Sequence, residues 1–295
     1  MPQIKDGENR AVLKLKSSGR AIDVELPAVM GILNITSDSF YDGGKYRSEK
    51  SILTQVERML AEGASIIDAG AVSTRPGAVE LPEAEEWNRL EPVLKAIRLH
   101  FPTAVLSVDT YRSRVAERSV GEGAQLINDI SGGTFDDRMP KTIAGLNIPY
   151  IMMHIQGKPQ DMQLNPLYYD VVKDVKKFFE EQIRIFRNQG MKEHIIIDPG
   201  FGFGKTLAHN YLLLGNLKVF RELGCPVMAG LSRKSMINKV LETKPDAALN
   251  GTTVLHAIAL MNGADFLRVH DVKEAVEAIR LVGFYQKTNE DFYKS

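Results

Sequence analysis

The 295-residue chain carries 37 basic and 37 acidic residues, so its formal net charge is zero, and 44% of its residues are hydrophobic. That balance, with no basic stripe, argues against a nucleic-acid or anionic-membrane partner. The first residues, Met1–Arg10, are polar, and no apolar stretch approaches the ~18 residues of a membrane span, so a soluble cytoplasmic protein is expected.

In chain order, Val12–Lys16 and Ala21–Leu26 alternate around Ser17-Ser18-Gly19, which predicts a β-hairpin. Eight short apolar runs follow, each ending on a polar residue. They are Ala28–Leu33 ending at Asn34, Ala64–Ile67 at Asp68, Ala104–Val108 at Asp109, and Gln125–Ile127 at Asn128. The remaining four are Pro149–Met153 ending at His154, Ile195–Ile197 at Asp198, Pro226–Leu231 at Ser232, and Ala264–Val269 at His270. Runs this short and rich in Val and Ile read as buried parallel strands.

Successive run ends lie about 34 residues apart, which suits a βα unit. Between the runs, Ser48–Glu62 and Asp170–Gln189 place apolar residues at helical spacing. Gly63, Gly123, Gly190, Gly224 and Gly263 stand where helix C-caps belong. Eight such units with no linker predict one domain over 1–295: a (β/α)8 TIM barrel over about 28–284, its far end plugged by the hairpin at about 12–26. The polar residues then gather at the C-terminal mouth, where barrels carry their active sites.

Gly200-Phe-Gly-Phe-Gly-Lys-Thr206 looks at first like a phosphate loop. Pro199 stands where a Walker A loop needs its first glycine, and Lys205 occupies the last position of G-x-G-x-x-G, so a glycine turn is the better reading. Asp109, Asn128 and Asp198 offer two carboxylates and an amide, a set suited to a ring edge bearing several N–H donors, such as an amino-pyrimidinone. A metal cluster is the rival reading, although hard-metal sites usually bring carboxylates closer in sequence or add histidines.

Ser232-Arg233-Lys234 and the pair Arg268 and His270 fall in the loops after strands seven and eight, where barrels commonly bind phosphate. Thr36–Tyr46 and Val72–Ala78 are polar, glycine-bearing loops of the kind that close over a substrate. Cys225 cannot form an internal disulfide and reads as a small buried residue; His100 and His256 read as structural or exposed.

Together these segments resemble the dihydropteroate synthases, a family of pterin-binding TIM barrels. The resemblance rests on Met30-Gly-Ile-Leu-Asn-Ile-Thr-Ser-Asp-Ser-Phe40, Ser73-Thr-Arg-Pro-Gly77, Ser107-Val-Asp-Thr110, Ile127-Asn-Asp-Ile130, Met153-His154, Asp198-Pro-Gly-Phe-Gly202, Ser232-Arg-Lys234 and Arg268-Val-His270. It implies a transferase of folate biosynthesis that joins p-aminobenzoate to 6-hydroxymethyl-7,8-dihydropterin diphosphate and releases pyrophosphate.

By position, Asp109, Asn128, Asp198 and Lys234 would hold the pterin, with Met153 and Gly230 lining its pocket; Asp109, Asp198 and Lys234 would be the catalytic set. Thr74, Arg268 and His270 would bind the diphosphate, and Asn34 would contact Mg²⁺, the implied cofactor. Phe40, Arg75, Pro76 and Ser232 would form the p-aminobenzoate pocket, which sulfonamide inhibitors also occupy in this family. A homodimer is implied as well.

Ser37, Tyr41 and Ala71-Val72 depart from the commonest family pattern, which bears on closure of the first loop. No insertion interrupts the segment beside Phe40 or the Ser73–Gly77 loop, which favours sulfonamide sensitivity. Two other readings share the pterin-binding residues: a barrel that transfers a methyl group from methyltetrahydrofolate, and a non-catalytic pterin-binding paralogue. The first has less use for Ser232-Arg233-Lys234, having no diphosphate to expel. Intact Asn34, Lys234, Arg268 and His270 argue against the second.

Overall fold

A computed structural model describes residues 11–17, 20–35, 45–73, 77, 81–192 and 194–294. Strands β1 (Val12–Ser17) and β2 (Arg20–Glu25) pair antiparallel, with Val12 opposite Glu25 and Ser17 opposite Arg20, as the alternation predicts. Eight parallel strands follow: β3 (Ala28–Asn34), β4 (Ile66–Gly70), β5 (Leu106–Asp109), β6 (Leu126–Asp129), β7 (Tyr150–Met153), β8 (Ile195–Asp198), β9 (Met228–Ala229) and β10 (Phe266–Val269). They run in the order β8-β7-β6-β5-β4-β3-β10-β9, and a parallel bridge from Ile197 to Val227 joins the two ends into a barrel.

Between and after the strands lie α1 (Lys45–Ala61), α2 (Glu83–His100), α3 (Ser113–Gly121), α4 (Met139–Leu146), α5 (Val171–Asn188), α6 (Leu207–Gly215), α7 (Ser235–Leu241), α8 (Leu249–Met261) and α9 (Val272–Lys294). The helix expected over Ser48–Glu62 begins three residues earlier, at Lys45. The one expected over Asp170–Gln189 matches α5 to within a residue at each end. Asp170 starts α5 by accepting from the N–H groups of Val172 and Lys173, and Thr206 starts α6 in a reciprocal capping box with His209. The five predicted cap glycines all adopt positive φ. Among the described residues, no helix is long and apolar enough to cross a membrane.

Three strands end differently from their sequence runs, β6 among them, which continues one residue past Asn128 to Asp129. β4 continues two residues past Asp68, so Asp68 lies within the strand rather than at its end. β9 is shorter than the run Pro226–Leu231: it spans Met228–Ala229 alone, while the Pro226 carbonyl accepts from Ile197 N at 2.9 Å. Cys225 is half-buried rather than buried.

Alternation along the strands divides the core in two. Val29, Leu33, Ile67, Val108, Ile127, Ile197 and Leu267 face the helices. Met30, Ile66, Leu126, Ile151, Ile196, Met228 and Phe266 point inward and meet Leu13, Leu15, Val24 and Leu26 of the hairpin end. Each such buried side chain contributes about 1.5–3 kcal/mol. The hairpin therefore fills one end of the barrel with hydrocarbon and leaves the polar chemistry to the other.

Candidate active site

Above the apolar plug, the next inward positions are polar. Register pairs Gly70 with Asp109 and Asp109 with Asn128, which sets the two polar side chains beside each other on adjacent strands. Arg268, inward-facing on β10, reaches across the barrel. Its Nε donates to Asp68 Oδ2 at 2.7 Å and its Nη2 to Asp109 Oδ2 at 2.8 Å. Asn128 Nδ2 donates to the same Asp68 oxygen at 2.9 Å. The fully buried Asp68 thus braces two candidate residues at once.

Asp198 ends β8, and its Oδ1 accepts from Gly200 N at 2.8 Å. A Cβ placed on Gly230 would lie 3.5 Å from Asp198 Oδ2 and 3.7 Å from Lys234 Nζ, so both charged groups approach the backbone of this glycine. Lys234 Nζ donates to the Phe201 carbonyl and sits 4.7 Å from the Phe203 ring centroid, a cation–π arrangement. Met153 is buried with Ile130, Ile155 and Met162, against Phe203, and forms an apolar wall beside the charged groups.

Burial shifts these groups. It pushes Asp109 up to about 7 against the opposing charge of Arg268, and raises Asp198 against Lys234. Burial also draws Lys234 down to about 8 although Asp198 favours its charge. Burial likewise opposes the Arg268 charge, but Asp68 and Asp109 overcome it and hold the guanidinium firmly protonated.

On the side of β9 and β10, Ser232 Oγ lies 3.0 Å from His270 Nδ1 and accepts from His270 N at 3.2 Å, which lets the hydroxyl donate to the ring. Asn34 is exposed at the end of β3. Gly77 N donates to the Pro159 carbonyl at 3.3 Å, so the end of the second loop meets the segment that leads from β7 to α5. Phe40, Thr74, Arg75 and Pro76, with Ser37 and Tyr41, lie outside the described residues.

Several placements were not legible in sequence. Arg233 does not join an anion cluster: at positive φ, it forms a two-pronged pair with Asp271 and reaches the carbonyls of Pro245 and Asp246. Asp68 emerges as the brace of the site; in sequence it was one of the eight polar run ends, with no role assigned. Phe203 comes from the glycine turn, whose motif reading pointed only to a failed nucleotide loop.

An inward face with carboxylates, an amide, an ammonium and an apolar wall can grip a flat, polar heterocycle. Residues 30–270 match the family described as pterin binding enzyme. The dihydropteroate synthase of Escherichia coli strain K12 is 44% identical over 271 residues, covering 92% of this chain and 95% of its own length. The crystal structure of the Yersinia pestis dihydropteroate synthase with a sulfonamide drug superposes with a TM-score of 0.85 at 41% identity, covering 93% of this chain and all of that one. The Xanthomonas albilineans enzyme with 4-aminobenzoic acid gives 0.84 at 37%, covering 95% and 99%. With its barrel, its inward polar layer and its sequence in agreement along almost its whole length, the chain belongs to the pterin-binding enzymes, as a dihydropteroate synthase.

Proposed function

We propose that Asp109, Asn128, Asp198 and Lys234 hold 6-hydroxymethyl-7,8-dihydropterin diphosphate by its ring, and that p-aminobenzoate, held by residues of the loops after the first two barrel strands, attacks the ring's methylene. The carrying observation is the convergence of Asp198 and Lys234 on the bare Gly230 backbone, beside Asp109 and Asn128 on neighbouring strands.

Carboxylates accept from the ring's N–H donors, Lys234 donates to a ring acceptor, and the Met153 wall covers a ring face. As the methylene–oxygen bond breaks, pyrophosphate departs with the electron pair and the ring takes up positive charge. Asp109 and Asp198 stabilise that charge, while Arg268 and His270 stabilise the departing anion. The aniline nitrogen then forms the new bond and loses its proton to solvent. Positioning of the weak nucleophile, assigned to Phe40, Arg75, Pro76 and Ser232, supplies the rest. Thr74 is assigned to the diphosphate.

Mg²⁺ belongs to the same reading. Asn34 presents a single neutral oxygen donor, and among the described residues no cluster of three metal-ligating side chains exists. That donor set fits an ion that keeps several waters and takes its other oxygens from substrate phosphates. Such an ion, when bound, would neutralise charge on the leaving group.

The sulfonamide and 4-aminobenzoic acid bound by the Yersinia and Xanthomonas relatives support assigning the same ligands here. A homodimer is proposed from the exposed apolar side chains Val254, Ile258 and Met261 on α8 and Leu281, Phe284 and Tyr285 on α9. A cytoplasmic location is proposed with it.

The test is pyrophosphate release on mixing both substrates. Release should require Mg²⁺ and both substrates, yield dihydropteroate in equal amount, and vanish in Asp198→Asn with the fold retained by circular dichroism. Near-normal turnover in that variant, or no release by the wild type, overturns the assignment. A methyltransferase or a binding-only paralogue gives no pyrophosphate.

A further inference from the structure

The Asn128 amide has two different ends, an oxygen that accepts and an NH2 that donates. Which end meets the ligand decides what the pocket can recognise. Asn128 is 3% exposed, and its Nδ2 donates to Asp68 Oδ2 at 2.9 Å. The same oxygen accepts from Arg268 Nε at 2.7 Å. A carboxylate oxygen that already accepts from a guanidinium takes a second donor and repels an acceptor. The amide therefore stands with its nitrogen towards Asp68 and its oxygen on the other side.

Register explains the direction. Asp68 pairs with Ser107, whereas Asn128 pairs with Asp109, one inward position nearer the mouth of the barrel. The Asn128 nitrogen is thus drawn down towards the hairpin end, and its oxygen is left for the layer that Asp109 occupies. Arg268 is held in the same way, since its Nη2 continues to Asp109 Oδ2 at 2.8 Å.

A fully buried carboxylate is costly, and an apolar side chain would serve packing better. Both of these bonds converge on one of its oxygens. Asp68 Oδ1 has no hydrogen-bond partner among the described residues, and neither has Ser107 Oγ on the neighbouring strand. What position 68 supplies to the site is therefore a single accepting oxygen.

We propose that Asp68 is a positioning residue that sets the polarity of the pocket: by holding the Asn128 nitrogen it turns the Asn128 oxygen to the ligand. Asp109 and Asn128 then offer a ring only acceptors. The pocket selects heterocycles with adjacent N–H donors, as along an amino-pyrimidinone edge, and rejects rings that present acceptors there. Asp68 itself does not touch the ligand.

The proposal rests on the assignment of the pterin ring to Asp109 and Asn128, so its first readout is taken without ligand. In the full chain, the side-chain 15N–1H signals of Asn128 are identified by their loss in Asn128→Asp. One proton should be shifted downfield by the carboxylate. That shift should vanish in Asp68→Ala and persist in Asp68→Asn, which keeps an accepting oxygen and places its NH2 where Oδ1 stands. The second readout is calorimetric affinity for 6-hydroxymethylpterin. It should fall about tenfold in Asp68→Ala and stay close to the wild-type value in Asp68→Asn. Asn128→Asp sets two carboxylates together and should also weaken binding about tenfold. Adding Asp68→Asn, whose NH2 can turn to the new carboxylate, should restore it.

An unshifted Asn128 proton in the wild type overturns the proposal, as does equal loss in Asp68→Ala and Asp68→Asn. A shifted proton in a wild type that binds no 6-hydroxymethylpterin overturns instead the assignment beneath it. Should Asp68→Ala not fold, the Asn128→Asp pair decides: rescue by Asp68→Asn supports the proposal, and its absence overturns it.

Discussion

At the scale of single residues, the site sets opposite charges in a dry barrel and thereby moves their protonation towards neutrality. Asp109 is pushed up to about 7 by burial and Lys234 is drawn down to about 8 by the same cause. The pterin grip needs the carboxylate charged and the amine protonated. Below about 7, Asp109 takes a proton and the grip weakens; above about 8, Lys234 loses one. The profile of kcat/KM for the pterin diphosphate, which reports the free enzyme, should therefore be a narrow bell between those limits. A flat profile from pH 5 to 9 would contradict the roles given to both groups.

Asp109, Asn128 and Asp198 were legible in sequence because each closes an apolar run. Asp68 closes such a run too, but its role was not legible, because it lies in partners 60 and 200 residues away, Asn128 and Arg268. Phe203 stayed hidden for a related reason: nothing local reveals that a glycine turn brings its ring to Lys234.

Among the elements, the hairpin of β1 and β2 does the least chemistry and closes the core. Leu15 is fully buried among Met30, Ile66, Leu126 and Phe266 at the inner floor of the barrel. Leu15→Ala should cost about 2–5 kcal/mol in urea unfolding, with pterin affinity little changed because the polar layer stands on the other side of that floor. A loss below 1 kcal/mol would mean that the hairpin is an appendage. The alternation of Val12–Lys16 and Ala21–Leu26 foretold both the hairpin and its place.

The strands were equally readable from their Val and Ile content. Their limits were not, since β4 and β6 run past their polar residues and β9 covers only two residues of its run. Arg233 shows the same limit: sequence proximity to Lys234 predicted a shared anion, and a backbone at positive φ turned it to Asp271.

For the molecule as a whole, one alternation explains both stability and site. Outward positions pack on the helices, inward positions at one end pack on the hairpin, and inward positions at the other end carry Asp68, Asp109, Asn128, Asp198 and Arg268. Fold and chemistry are thus two halves of a single pattern, which is why the barrel was visible from periodicity while the reaction needed particular motifs.

The most direct test is a crystal structure of the protein with 6-hydroxymethylpterin bound. The expected result is one ring within hydrogen-bonding distance of Asp109, Asn128, Asp198 and Lys234, with Met153 against its face and Gly230 beneath its edge. A ring bound elsewhere, or one that leaves Asp198 and Lys234 without contact, would contradict it.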